Sequence, residues 1–600
     1  MIIRALVVAA AWMAFTSAAH AQGAEECEAQ AEAARALDLP RPFAFRINED
    51  AERAVYPDIH CNVRDMTIAV RQEGILRPAY GDSDEVVDEV ALFGGIIDEI
   101  KRRAGYDAAT QAYGNDVRLL VYAHGGLVSH DSAIDHAESL APFMMADGYL
   151  PLFLVWNSNL PPSYWNHLCC VQDGVASDAG VLWYAPARLF GDVVSGFARA
   201  PETYLDQGFR FVGSVVDRDD NEYRLMEEDQ VEQRTDLHDL IGGLHCPEDG
   251  GSDAVRYPYV VLPPFCHGDD RLNGDGFRIT PARVQYYALT PARVLTTPPI
   301  QGIGTPAWDN MVRRTRSAFR AAPAFVNRRY ELDRPVTAAE CARLTAFGAQ
   351  QAVEAQRRSA RPEGQTEEEA EEWRRGAFER FFARLDCELR ADDGALGQRV
   401  SIDLFGHSMG AIVANEMLSK YPEMPYRRVV YMGAASSIRD FLAGPTEAFQ
   451  RNPKLWFADL TLHPLAEARE LNFGGLPPAG SLLEWVDEMF EGPRAIDDVT
   501  LGKWRNLRRV MHLFPTDLRR RTLIRVFPLQ EQMPEAEFNA ECVGPAGRID
   551  RCHPIRHGDF NHFSFWRDCY VFGRMTWPAG APTDSVAHQP RRCEFGSRAP

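Results

Sequence analysis

Near-continuous apolar runs alternate with amphipathic ones in two separate stretches of the chain. In the first, Val117–Ala123 reads as a buried strand, His124-Gly125-Gly126-Leu127 as a turn, Asp131–Ala146 as a helix and Leu150–Trp156 as the next strand. In the second, Val400–Phe405 reads as a strand, Ser408–Lys420 as a helix, Arg428–Met432 and Leu455–Leu462 as strands, Ser481–Phe490 as a helix and Thr522–Phe527 as a short last strand. Strands that are apolar on both faces and separated by helices predict an α/β fold: a mostly parallel sheet with helices on both faces. Upstream, a strand at Met66–Arg71 and an amphipathic helix at Asp84–Arg103 are expected to extend the edge of that sheet.

The alternation is lost between the two stretches. The expected organisation is an N-terminal segment 22–110, a first core part 111–160, a large insertion 161–395 before the strand at 400, a second core part 396–575 and a Pro-rich irregular tail 576–600. Within the insertion, Gly180–Ala198 is amphipathic and rich in Leu, Trp, Tyr and Phe, the pattern of a packed helix or of a lid over an apolar site. Thr366–Arg390 has a charged helical pattern.

Residues 1–21 combine Arg4, the apolar run Ala5–Phe15 and Ala19-His20-Ala21, which predicts a cleaved signal peptide and a periplasmic or secreted protein. An uncleaved anchor is the alternative. No later stretch approaches the roughly 20 apolar residues of a membrane span. The net charge of −21 opposes nucleic acid and anionic membranes as partners. Twelve cysteines in an exported chain favour disulfides, with Cys246/Cys266 and Cys542/Cys552 as local staples and the adjacent Cys169 and Cys170 bonded elsewhere. Zinc at Cys246, Cys266, His245 and His267 is disfavoured, because no Cys-x-x-Cys spacing presents two ligands from one turn. Asp270, Asn273, Asp275 and Gly276 miss the spacing of a calcium loop and read as a polar turn.

The informative motif is Gly406-His407-Ser408-Met409-Gly410, set between a strand and a strong helix pattern. A serine on such a turn stands above the sheet edge at a helix N-terminus, with the Met409 N–H able to donate to a developing oxyanion. His124-Gly125-Gly126 ends the other central strand, and the N–H groups of Gly125 and Gly126 are candidates to complete the oxyanion site. A serine hydroxyl needs a base. His557 is the first candidate, in the loop after the last strand, and His562 the alternative. The orienting acid is expected after a late strand: Glu467, which follows Leu455–Leu462, or Asp440 as the rival.

On HGGL at 124–127, GHSMG at 406–410 and HGDFNHFSFW at 557–566, the chain resembles the α/β-hydrolase superfamily in its esterase and lipase-like part. The resemblance covers about 117–160 and 396–570 and leaves the insertion unmatched. It implies a Ser/His/acid hydrolase that works through an acyl-enzyme with no cofactor or metal, on a small-molecule or lipid ester. The same triad also serves amidases and peptidases, and a silent binding or scaffold protein could keep the fold.

Overall fold

The computed structural model describes residues 63–216, 261–262, 291–319, 376–527 and 554–566, apart from short breaks at 72–73, 82–86, 108–111, 170, 173–174, 177–183, 471–478, 520 and 563–564. The expected leader at 1–21, the cysteines 170, 246, 266, 542 and 552, the zinc and calcium candidates between 245 and 276, the start of the 366–390 helix and the 576–600 tail lie outside the described residues.

In chain order the strands are β1 (Thr67–Val70), β2 (Leu76–Arg77), β3 (Tyr106–Asp107), β4 (Ala112–Tyr113), β5 (Val117–Ala123), β6 (Leu150–Trp156), β7 (Val171–Gln172), β8 (Val175–Ala176), β9 (Val261–Leu262), β10 (Val400–His407), β11 (Tyr426–Met432), β12 (Trp456–Leu462) and β13 (Thr522–Phe527). The main sheet has the order β2-β1-β6-β5-β10-β11-β12-β13-β9. Within it only β2 runs antiparallel. The remaining strands form two small hairpins, β3-β4 and β7-β8. The α/β class and the mostly parallel sheet expected from the sequence are present, and the 66–71 segment joins the sheet as β1, one strand in from the edge strand β2.

The helices are α1 (Glu89–Arg103), α2 (His130–Ala146), α3 (Leu160–Cys169), α4 (Ala185–Val216), α5 (Pro291–Ser317), α6 (Ala377–Gly394), α7 (Gly410–Lys420), α8 (Ile438–Ala443), α9 (Thr446–Arg451), α10 (Pro464–Arg469), α11 (Leu482–Trp485, continued by a wider turn to Phe490), α12 (Trp504–Val510) and α13 (Thr516–Arg519). α1 begins five residues later than the periodicity predicts, because Asp88 caps it by accepting from the Ala91 N–H at 3.0 Å. Its buried Phe93, Ile96, Ile97 and Ile100 fall on one face at helical spacing.

Strand alternation feeds two cores. From β5, Leu119, Val121 and Ala123 join the larger one with Leu404, Phe457, α1 and α7, while Leu120 and Tyr122 join the second with α2, Phe560 and Trp566. The 161–395 stretch is not set apart from the larger core. Trp308 and Met311 of α5, together with Phe378, Phe381 and Phe382 of α6, pack into it. α6 in turn is tied to α1 by a buried Arg380–Glu89 pair at 2.7 Å. Among the described residues no cysteine is a free thiol. No helix there is long and apolar enough to cross a membrane.

A buried ionic knot closes the amino-terminal end of the sheet. Asp403 accepts from Arg427 Nε and Arg428 Nε, each at 2.8 Å, and Arg428 reaches on to the Tyr149 hydroxyl and the Trp566 carbonyl, both at 2.6 Å. Burial alone would raise the Asp403 carboxyl, but the two guanidiniums outweigh it and hold it below the ordinary carboxylate range. Removing the carboxylate takes the counter-charge from the buried Arg428 and the half-buried Arg427, so Asp403→Ala should cost about 3–5 kcal/mol, read as the shift in urea unfolding. A change within experimental error would show that solvent reaches the knot.

Candidate active site

The sheet reverses its winding between β5 and β10: the chain runs from β5 outward to β6 on one side, and from β10 outward through β11, β12 and β13 on the other. In open α/β sheets the crevice beyond the carboxyl ends of the strands at such a switch point is where ligands bind. The two motifs singled out in the sequence lie there, HGG at the end of β5 and GHSMG at the end of β10.

β10 ends at His407 and α7 begins at Gly410, so the helix starts two residues later than the apolar pattern suggests. The turn between them holds Ser408 at φ 51°, a left-handed conformation that costs a non-glycine residue about 1–3 kcal/mol. Missing β-carbons make the turn possible. A Cβ on Gly410 would lie 2.2 Å from the Ala123 carbonyl oxygen, and one on Gly406 would lie 2.9 Å from the Ala411 nitrogen. The Ser408 N–H donates to the Met432 carbonyl at 2.9 Å, and its carbonyl accepts from the Ala435 N–H at 3.0 Å. Ser408 is buried, and its Oγ has no hydrogen-bond partner.

The HGGL turn is strapped to the end of β6. His124 is buried and stacked on Trp156 with ring centroids 4.0 Å apart. Its Nε2 accepts from the Trp156 N–H at 3.1 Å, and its Nδ1–H donates to the Gly125 carbonyl at 2.6 Å. Burial holds its pKa down at about 4, against two backbone hydrogen bonds that raise it, so the ring is neutral. Ser158 Oγ also donates to the Gly125 carbonyl at 3.2 Å. A trans peptide directs its N–H opposite to its carbonyl, so these two donors turn the Gly126 N–H away from β6. Among the described residues, neither that N–H nor the Met409 N–H donates to another group. Gly126 packs on Met409, and a Cβ added to it would fall 2.7 Å from the Met409 sulfur.

His557 opens a 3-10 turn after β13. Asp559 shapes that turn by accepting from the Ile555 and Arg556 N–H groups at 3.1 and 2.8 Å. The His557 ring lies against Gly433, whose added Cβ would be 3.0 Å from both Cε1 and Nδ1. Gly433 follows Met432, the residue that anchors the Ser408 N–H, so the base candidate sits beside the elbow. His557 is buried, and neither ring nitrogen has a hydrogen-bond partner. Burial, with His407 adding to it, holds its pKa well below the ordinary histidine range. His562 closes the same turn.

The two acid candidates lie in contrasting places. Asp440 is on the exposed first turn of α8 and pairs with Arg316 at 2.6 Å, the geometry of a surface ion pair. Glu467 is buried on α10, directly after β12. One of its oxygens accepts from the Ser481 hydroxyl, and the other, Oε1, has no partner. Sequence reasoning missed Glu470, three residues further on and just past the end of α10, which accepts from the His557 N–H at 2.7 Å. Its i, i+3 spacing from Glu467 is the signal that could have found it. The other missed group is Lys503, buried between Glu484 at 2.8 Å and Asp487 at 3.1 Å.

Compared with known proteins, the chain matches no family model, no curated protein and no solved structure.

Burial, reinforced by their neighbouring carboxylates, pushes Glu467 up to about 8 and Glu470 up to about 7. An unfolded glutamate titrates near 4.3, so from there to about pH 8 the folded chain binds more protons than the unfolded one, and stability falls as pH rises. The slope is at most about 1.4 kcal/mol per pH unit for each group. Glu467→Gln keeps the shape without the titration and should flatten the decline in melting temperature across that window. An unchanged profile would mean that these carboxyls ionise freely in the fold.

Proposed function

We propose that this chain is an exported serine hydrolase of the α/β-hydrolase type that cleaves a carboxylic ester through an acyl-enzyme. The observation that carries the reading is Ser408 itself. It is a buried serine at positive φ on a strand-to-helix turn at the switch point, with an unpaired Oγ, beside a buried neutral histidine. A purely structural serine would be expected to spend its hydroxyl on a hydrogen bond. The chain order supports the same reading: serine after β10, carboxylates after β12 and histidine after β13, the order Ser, acid, His.

In the proposed mechanism Ser408 Oγ attacks the ester carbonyl while His557 takes its proton. The oxyanion is met by the N–H groups of Met409 and Gly126 at the N-terminus of α7, where the helix dipole adds positive potential. His557 then returns the proton to the leaving alcohol, and water repeats the sequence to release the acid. Glu467 Oε1 is the carboxylate assigned to the imidazolium that forms in between. Met311 and Met409 pack against Gly126 with apolar side chains, which favours an apolar acyl group beside that turn.

The test is pre-steady-state hydrolysis of p-nitrophenyl esters of rising acyl length. An acyl-enzyme gives a burst equivalent to one site, and Ser408→Ala abolishes it. Glu467→Gln should lower kcat by on the order of 10²–10⁴-fold. Because the carboxylate must be ionised to serve the imidazolium, kcat/KM should climb with pH through about 7 to 8, the range set by Glu467 and Glu470. Turnover that survives Ser408→Ala sinks the proposal, and a folded protein without any burst points to a silent scaffold.

A further inference from the structure

His407 occupies the second position of GHSMG, and the reaction proposed above gives it no part. It is buried at the last position of β10, directly before Ser408. Its Nε2 lies 3.1 Å from the His557 carbonyl oxygen. A carbonyl only accepts, so this nitrogen carries the hydrogen and donates it. The His407 ring also packs on the rings of His557 and Phe560, with centroids 5.3 and 6.1 Å away. On its other side the ring meets the oxyanion turn: a Cβ on Gly125 would fall 2.5 Å from its Nδ1. One imidazole therefore touches the turn that carries the oxyanion donors and the loop that carries the base, while its backbone is bonded to the nucleophile.

The main chain of His557 is held on both sides, its N–H by Glu470 at 2.7 Å and its carbonyl by His407. With the backbone fixed at both peptide groups, the ring's reach is set by its side-chain torsions alone, which suits a base whose own nitrogens have no other tether. We propose that His407 is a positioning residue that locks the base loop to the nucleophile elbow through its Nε2–H···O bond to His557. The inference rests on the assignment of Ser408 and His557 made above.

Gln and Met are close in size and differ at the position that matters. Gln carries an amide N–H near the reach of the imidazole Nε2, and Met carries none. His407→Met should lower kcat and the rate of Ser408 phosphonylation by a fluorophosphonate by roughly 10–100-fold with KM little changed, because misplacing a catalytic group by about an ångström has that effect. His407→Gln should recover most of the loss. Equal rates in wild type and His407→Met, or a Gln variant no better than the Met variant, overturn the inference while leaving the serine-hydrolase reading intact. If wild-type Ser408 itself is not phosphonylated, that reading fails and takes this inference with it.

The wild-type protein gives a second test that does not depend on how the variants fold. Nitrogen-15 spectra of labelled histidines should show His407 protonated at Nε2, with a proton slow to exchange. A neutral Nδ1–H tautomer at His407 would overturn the clamp, since Nε2 would then be an acceptor facing an acceptor.

Discussion

The site depends on one close approach. The first turn of α7 lies so near the end of β5 that the Ala123 carbonyl occupies the space where a side chain on Gly410 would begin. With Gly406 equally bare at the end of β10, strand and helix reverse within two residues, and Ser408 between them is forced to positive φ. The strain of about 1–3 kcal/mol is small beside the packing that imposes it. It lifts the Oγ out of both hydrogen-bond ladders and leaves the Met409 N–H unused at the helix N-terminus.

The other parts are hung from that turn rather than assembled independently. Ser408 is bonded to Met432, the next residue carries the glycine face on which His557 rests, and the HGG turn is pressed against Met409 and His407. Two histidines serve as rigid parts: His124 braces the HGG turn against the end of β6, and His407 donates to the His557 carbonyl. Glu467 on α10 and Glu470 just past its end are buried, and desolvation holds both protonated into the neutral range. In the reaction proposed for this site, preorganised groups would meet charge only as it forms.

Much of the sheet was legible in the sequence, because parallel strands covered on both faces read as near-continuous apolar runs, as Val117–Ala123, Leu150–Trp156 and Thr522–Phe527 do. The elbow was legible for the same reason, since GHSMG falls where a strand pattern gives way to a helical one. What sequence could not supply was pairing across long separations. Nothing local distinguishes Glu470 from Glu467, and only the return of the chain 87 residues later brings His557 onto Glu470. Asp440 and Glu467 read alike as acids after strands, and burial separates them, the first turned to Arg316 and the second to Ser481. Within the 161–395 stretch α4 and α5 run through Pro201, Pro298, Pro299 and Pro306, residues that a sequence reading takes as helix breaks. Even so, α5 and α6 belong to the main core through Trp308, Met311 and three phenylalanines.

Every role proposed for this site depends on Ser408 being a nucleophile. The most direct measurement is to incubate the purified protein with a fluorophosphonate, weigh it intact and map the modified peptide. A single adduct on Ser408, and no reaction once the protein is unfolded, is the expected result. A folded protein that stays unmodified, or one modified elsewhere, would contradict it.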